Sequence, residues 1–167
     1  MSPTTNHPAN AALAVAPETA PRDLISPCMF SRLVARVMAD NGDERPAAER
    51  ITEQALAFLA TCAANPGAGL VPSPEVDKGW HAFLLHTADY AEFCQRVAGR
   101  FIHHLPDEPG EEDSGAGVSA TVAAIRALGL TVDADLWGTA GECTSDCHQC
   151  HAGCHDSPGK PKAQQTA

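Results

Sequence analysis

Strand-forming residues are scarce in this 167-residue chain, where aromatics make up only 5%: five Phe, two Trp and one Tyr. The 44% hydrophobic fraction is carried mostly by Ala and Leu. No run alternates Val, Ile, Thr or aromatic residues with polar ones, which argues against a sheet as the main architecture. Basic charge is short as well, with 11 Lys and Arg against 21 Asp and Glu and a net charge of −10. Without a basic face the chain lacks what phosphate contacts require, so no nucleic-acid partner is expected. Apolar runs are short throughout, and none approaches the roughly 18 residues of a spanning helix, so no membrane partner is expected either. The AALAVA stretch at 11–16 is too small for a signal h-region and has no basic residues before it. The expected compartment is therefore the cytoplasm, where the seven cysteines, an odd number, stay reduced rather than forming a disulfide framework.

What is present reads as helix. The predicted fold class is all-α, a small bundle of four to five helices with a disordered N-terminal arm and a Cys/His-rich C-terminal tail. Residues 1–24 are rich in Pro, Ala and Thr and show no helical stripe. Ser26-Pro27 is an N-cap with Pro at the first helical position. The helix that follows carries Met29, Leu33, Val34 and Val37 on one face, and Asn41-Gly42 stops it. A second start lies at Asp43 to Pro46, with Ile51, Ala55, Leu59 and Cys62 inward and Asn65-Pro66-Gly67 at the end. Cys28 and Cys62 read as small buried apolar residues. Ser73-Pro74-Glu75 opens a third helix, and Thr87 is the expected cap of a fourth that ends at Gly99. Residues 25–106 thus form the helical domain, 107–117 (DEPGEEDSGAG) an acidic Gly-rich linker, 118–140 a short helix packing back on the core, and 141–167 the tail.

Within the helical domain, residues 77–104 hold four of the eight histidines, one of the two tryptophans, the only tyrosine and one cysteine. Asp77 and His81 are four apart, so on a helix they share a face. A carboxylate there either ligates a metal beside the imidazole or orients that imidazole. Cys94 lies on the next helix and the His103-His104 pair just beyond it. Asp77, His81, Cys94 and His103 are the candidate ligands, with three protein ligands and an open position allowing a catalytic water. Trp80, Phe83, Tyr90 and Phe93 fall at helical spacing and read as core.

The order Asp77-x-x-Trp80-His81, then Tyr90, Cys94, Gly99 and His103, resembles the glycine-rich domain-containing protein family, over about residues 28–106. That resemblance implies a small helical domain of the bacterial type and no particular reaction. Many of its members carry a second His two places after the first, where this chain has Phe83.

The tail, CTSDCHQCHAGCH, sets Cys143, Cys147, Cys150 and Cys154 at spacings of four, three and four. As a helix it would put the thiols on one stripe and His148, His151 and His155 on another, spread over roughly 16 Å. Neighbouring pairs would then bind several soft ions, whereas a non-helical wrap would enclose one Zn²⁺ in four thiolates. The leading functional expectation is a small soluble metal-binding protein for buffering, sensing or delivering zinc, with copper or iron as alternative ions. One alternative is a metalloenzyme centred on His81, Cys94 and His103. Another is a precursor whose Cys-rich tail a partner enzyme modifies. The non-catalytic reading is preferred.

Overall fold

Proline, serine and glycine punctuate the helices at the backbone level. The computed structural model describes residues 20–104 and 115–138. Ser26 caps α1 (Pro27–Asn41), its Oγ accepting from the Met29 N–H at 3.2 Å, and Gly42 closes it at φ 76°. That left-handed conformation is open to glycine without the Cβ clash other residues would meet. α2 (Arg45–Ala64) follows, then α3 (Pro74–Leu84), whose cap is Ser73 with Oγ 3.2 Å from the Val76 N–H. α4 (Thr87–Ala98) ends on Gly99 at φ 66°, and α5 is Gly115–Ala127. Among the described residues the chain is all-helical, with five α-helices and no strand.

Three local expectations need correction. The N-cap of α4 is His86 rather than Thr87, which is the first helical residue. α5 begins at Gly115, inside the stretch read as linker. Pro21–Leu24, read as the end of a disordered arm, form a turn of 3₁₀ helix that packs on α2. This turn is held partly by Arg96, whose guanidinium donates to the Leu24 carbonyl. Residues 1–19 and the tail with Cys143, Cys147, His148, Cys150, His151, Cys154 and His155 lie outside the described residues.

The bundle is organised around α2, which contacts α1, α3, α4, α5 and the 3₁₀ turn. Its unbroken buried run, Gln54 to Thr61, includes three small residues, Ala55, Ala57 and Ala60, and the buried Thr61 hydroxyl bonds back to the Ala57 carbonyl at 2.8 Å. α3 crosses it closely. A Cβ added at Gly79 would stand 2.7 Å from the Ala55 Cβ and 3.0 Å from the Ile51 carbonyl oxygen. This close approach buries Val76, Trp80 and Phe83 of α3. It leaves Asp77 and His81 at the margin of the packed face, half-buried and exposed respectively.

The segment after α5 also docks on α2. Gln54, 5% exposed, donates through Nε2 to the Thr131 carbonyl at 3.1 Å. Its Oε1 accepts from the Trp137 indole N–H at 2.7 Å and from the Asp133 backbone N–H at 3.2 Å. Trp137 is buried against Phe58, at a ring separation of 6.4 Å. Trp137, with Leu136 packed beside the core, is thus anchored by a polar side chain.

Candidate metal centre

The site grows from α3 and the chain that leaves α4. One helical turn separates Asp77 from His81, so their side chains stack on one face, with His81 Nε2 3.1 Å from Asp77 Oδ2. After Gly99 burial alternates along 101–104, with Phe101 and His103 exposed, Ile102 buried and His104 half-buried. Ile102 turns inward at 6% exposure, which puts His104 on the same side and His103 on the other. His104 Nε2 then reaches Asp77 Oδ1 at 2.9 Å and His81 Nε2 at 3.0 Å. Asp77, His81 and His104 are the one cluster of potential metal donors among the described residues.

A buried chain of hydrogen bonds fixes this geometry. The Trp80 indole N–H donates to the Tyr90 hydroxyl at 2.9 Å, and that hydroxyl donates to the Ile102 carbonyl at 2.7 Å. Burial pushes the Tyr90 phenol well above its ordinary range, against the opposing donation from Trp80, so the proton given to Ile102 stays in place. Trp80 also lies against the His104 ring, with centroids 4.4 Å apart. One aromatic pair therefore holds both the backbone before His104 and its imidazole.

With Asp77 ionised, no placement of protons on the two imidazoles satisfies the three edges of the triad. If both imidazoles carry hydrogen on Nε2, each has a carboxylate oxygen to bond, but two N–H groups face each other across 3.0 Å. If one Nε2 is bare, its lone pair meets the other imidazole's N–H well but opposes the carboxylate oxygen. Charging both rings does not add an acceptor between them. A cation among the three atoms resolves every edge, because all three then present lone pairs. The donor set of two imidazoles and a carboxylate suits a divalent first-row metal. Side-chain exposures of 60% for His81, 29% for Asp77 and 19% for His104 leave the outer side of the cluster facing solvent.

The other candidates are placed elsewhere. Cys94 is fully buried in the core beside Tyr90, and among the described residues it belongs to no group of three potential ligands. It belongs to the same buried cluster as Phe83 and Phe93. His103 is exposed and rests on the Phe101 ring at 4.9 Å. His86 pairs with Arg32 at 3.1 Å. The set His81, Cys94 and His103 is therefore not brought together. His104 takes the place given to His103, because Ile102 rather than Phe101 is the inward apolar residue. Of the two cysteines expected inside, Cys62 is half-buried and Cys28 is exposed. Cys28 shares its helical face with Arg32 and Arg36, not with Met29 and Leu33. Burial pushes the Cys62 thiol up to about 12, with Arg100 opposing, so it is kept as a thiol.

No curated protein matches the chain, and no solved structure does. The resemblance to the glycine-rich domain-containing protein family is overturned, because the family that matches is another one. The order that suggested it has a packing origin: Trp80 and Tyr90 bond each other, Gly99 caps α4, and Cys94 fills the core. The matched family covers residues 23–118, from the 3₁₀ turn into α5, which is more than half of the chain and includes all three members of the triad. The chain belongs to the UCP032817-like family.

Proposed function

We propose that this chain is a metal-binding protein that holds one divalent transition-metal ion at Asp77, His81 and His104. The observation that carries this reading is the convergence of three donor side chains, with His104 Nε2 3.0 Å from His81 Nε2 and 2.9 Å from Asp77 Oδ1, His81 Nε2 3.1 Å from Asp77 Oδ2, and no arrangement of ring protons that suits all three edges while Asp77 is ionised. Zinc, copper and iron are the ions that an imidazole–carboxylate set accommodates. The Cys/His run at 143–155 adds soft donors. In this reading those donors serve storage or delivery, and the triad is a second, independent site on the helical domain.

The test uses the full-length chain with Cys143, Cys147, Cys150 and Cys154 changed to Ser, so that thiolate binding is removed. Zn²⁺ is titrated against a chromophoric chelator in this protein and in the same protein carrying His81→Ala. The expected result is one ion bound per chain in the first and at least ~100-fold weaker binding in the second, beyond the 10–100-fold that loss of an orienting neighbour produces. Equal binding by the two proteins would overturn the assignment.

A further inference from the structure

The segment that precedes the Cys/His tail is tied to the helix that carries the triad. We infer that in the intact chain the Cys143 thiolate joins Asp77, His81 and His104 on the same metal ion. This inference rests on the metal-binding reading above and links its two donor sets.

The first reason is where the chain emerges. The Ser73 hydroxyl, buried at the N-cap of α3, donates to the Leu136 carbonyl at 2.6 Å. The Ser73 carbonyl in turn accepts from the Asp77 backbone N–H at 2.9 Å. Ser73, Asp77 and His81 follow at four-residue steps, so the Leu136 anchor and two members of the triad share one stripe of α3. A second route runs through the core. Trp137 packs on Phe58, whose ring lies 5.2 Å from that of Trp80, the residue that rests against His104. Gly138, at the end of the described residues, is exposed.

The second reason is reach. Four residues of helix rise about 6 Å, which puts the Leu136 carbonyl within about 11 Å of the Asp77 backbone. Cys143 comes seven residues after Leu136. Fully extended, such a length spans as much as about 25 Å, twice what is needed. Cys143 is also the first thiol along the tail, so its tether is the shortest of the four. A short link that can span its two sites gives an effective concentration in the millimolar range, and this falls as the link lengthens.

The third reason is chemical. Among the described residues no fourth His, Cys, Asp or Glu joins the cluster, and the His81 side chain is 60% exposed to solvent. Two neutral imidazoles and one carboxylate leave a divalent ion with a net charge of about +1, which a thiolate neutralises. Zinc accepts sulfur, nitrogen and carboxylate donors. As the sulfur–metal bond forms, the thiol gives its proton to solvent and no oxidation state changes. A shared ion of this kind makes the triad the place where metal carried by the tail is received.

Cobalt is the probe, because a sulfur donor on Co²⁺ adds a near-ultraviolet charge-transfer band that nitrogen and oxygen donors do not. It is titrated anaerobically into the full-length chain carrying Cys147→Ser, Cys150→Ser and Cys154→Ser, with Cys143 kept. Two comparison proteins carry these changes plus either Cys143→Ser or His81→Ala. The expected result is a sulfur band in the first protein alone, with Co²⁺ held about 10-fold tighter than in the Cys143→Ser protein. Its intensity per bound ion should not change on dilution. Equal cobalt affinity in those two proteins with no sulfur band in either would overturn the inference and leave the metal site standing. A band that survives His81→Ala, or that fades on dilution, would also overturn it, assigning the sulfur to the tail alone or to a second copy. A Cys143→Ser protein that binds no cobalt would remove the site itself, and the inference with it.

Discussion

Two polar clusters tie irregular segments to helices in this molecule, and their hydrogen-bond accounts differ. Gln54 gathers residues 131–137 onto α2 with one donor to Thr131 and one acceptor shared by Asp133 and Trp137, so each group it meets has its complement. Asp77 and His81 gather residue 104 onto α3 with three groups that no arrangement of ring protons reconciles while Asp77 is ionised. In the first cluster the buried amide meets every group with its complement, as a structural fastening should. The second is half open and incomplete. Spatial convergence of polar side chains is common to both; only counting donors against acceptors separates a fastening from a candidate binding site.

The strongest way to sharpen that contrast is Gln54→Ala. It strands the buried Trp137 indole N–H and leaves a void, and a loss of about 3 kcal/mol in urea unfolding is expected. A loss below about 1 kcal/mol would mean the 131–137 segment is not fastened here.

Tyr90→Phe comes next. It leaves the Trp80 N–H without its acceptor and the Ile102 carbonyl without its donor, which should destabilise by about 2 kcal/mol. Because the same hydroxyl fixes the approach to His104, Zn²⁺ affinity in the cysteine-free tail background should fall about 10-fold. Unchanged affinity with reduced stability would separate the aromatic pair from the site.

Asp77→Asn tests the proton argument in the opposite sense. An amide supplies both an N–H and a carbonyl, so the triad's three edges become compatible with hydrogen bonds. That gain, about 0.5–1 kcal/mol, is offset by loss of an acidic residue from the first turn of α3. Metal-free stability should therefore stay within about 0.5 kcal/mol of the parent while the rise in melting temperature on adding Zn²⁺ disappears. Marked destabilisation together with a retained Zn²⁺ response would break the comparison.

The smallest effect concerns the rim of the Gln54 cluster. Arg50 donates to Asp133 at 2.6 and 2.7 Å and holds its carboxyl below the ordinary carboxylate range. A carboxyl whose folded value is depressed contributes stability that is present above its unfolded pKa, about 4, and that fades as pH falls through the folded value. Asp133→Asn should lower stability slightly at neutral pH, leave it nearly unchanged below the folded value, and so flatten the acid side of the stability–pH curve. An identical acid slope in the two proteins would remove this contribution.

Much of the helical frame was legible before the structure. Ser26-Pro27 and Ser73-Pro74 announce helix starts because a hydroxyl can take an orphan N–H and proline needs no partner there. Asn41-Gly42 and Gly99 announce stops because the left-handed cap favours glycine. The Asp77–His81 pair was legible for the same kind of reason, since helical spacing alone makes the two neighbours. His104 was not. Phe101 and Ile102 are both apolar, so sequence does not distinguish which of His103 and His104 lies on the α3 side. The Tyr90 hydroxyl on the Ile102 carbonyl decided it. Gln54 also escaped notice, because a lone glutamine in an Ala-rich helix carries no local sign of the groups it will meet.

Local propensity therefore determined where the helices begin and end and that Asp77 stands beside His81, because those outcomes depend on residues within a turn or two of each other. Only tertiary structure decided that His104 rather than His103 completes the triad, that Cys94 is core, and that residues 131–137 hang on Gln54. Each of those outcomes depends on a partner brought near by packing on α2 and α3, and the chain encodes such partners jointly rather than at any one position.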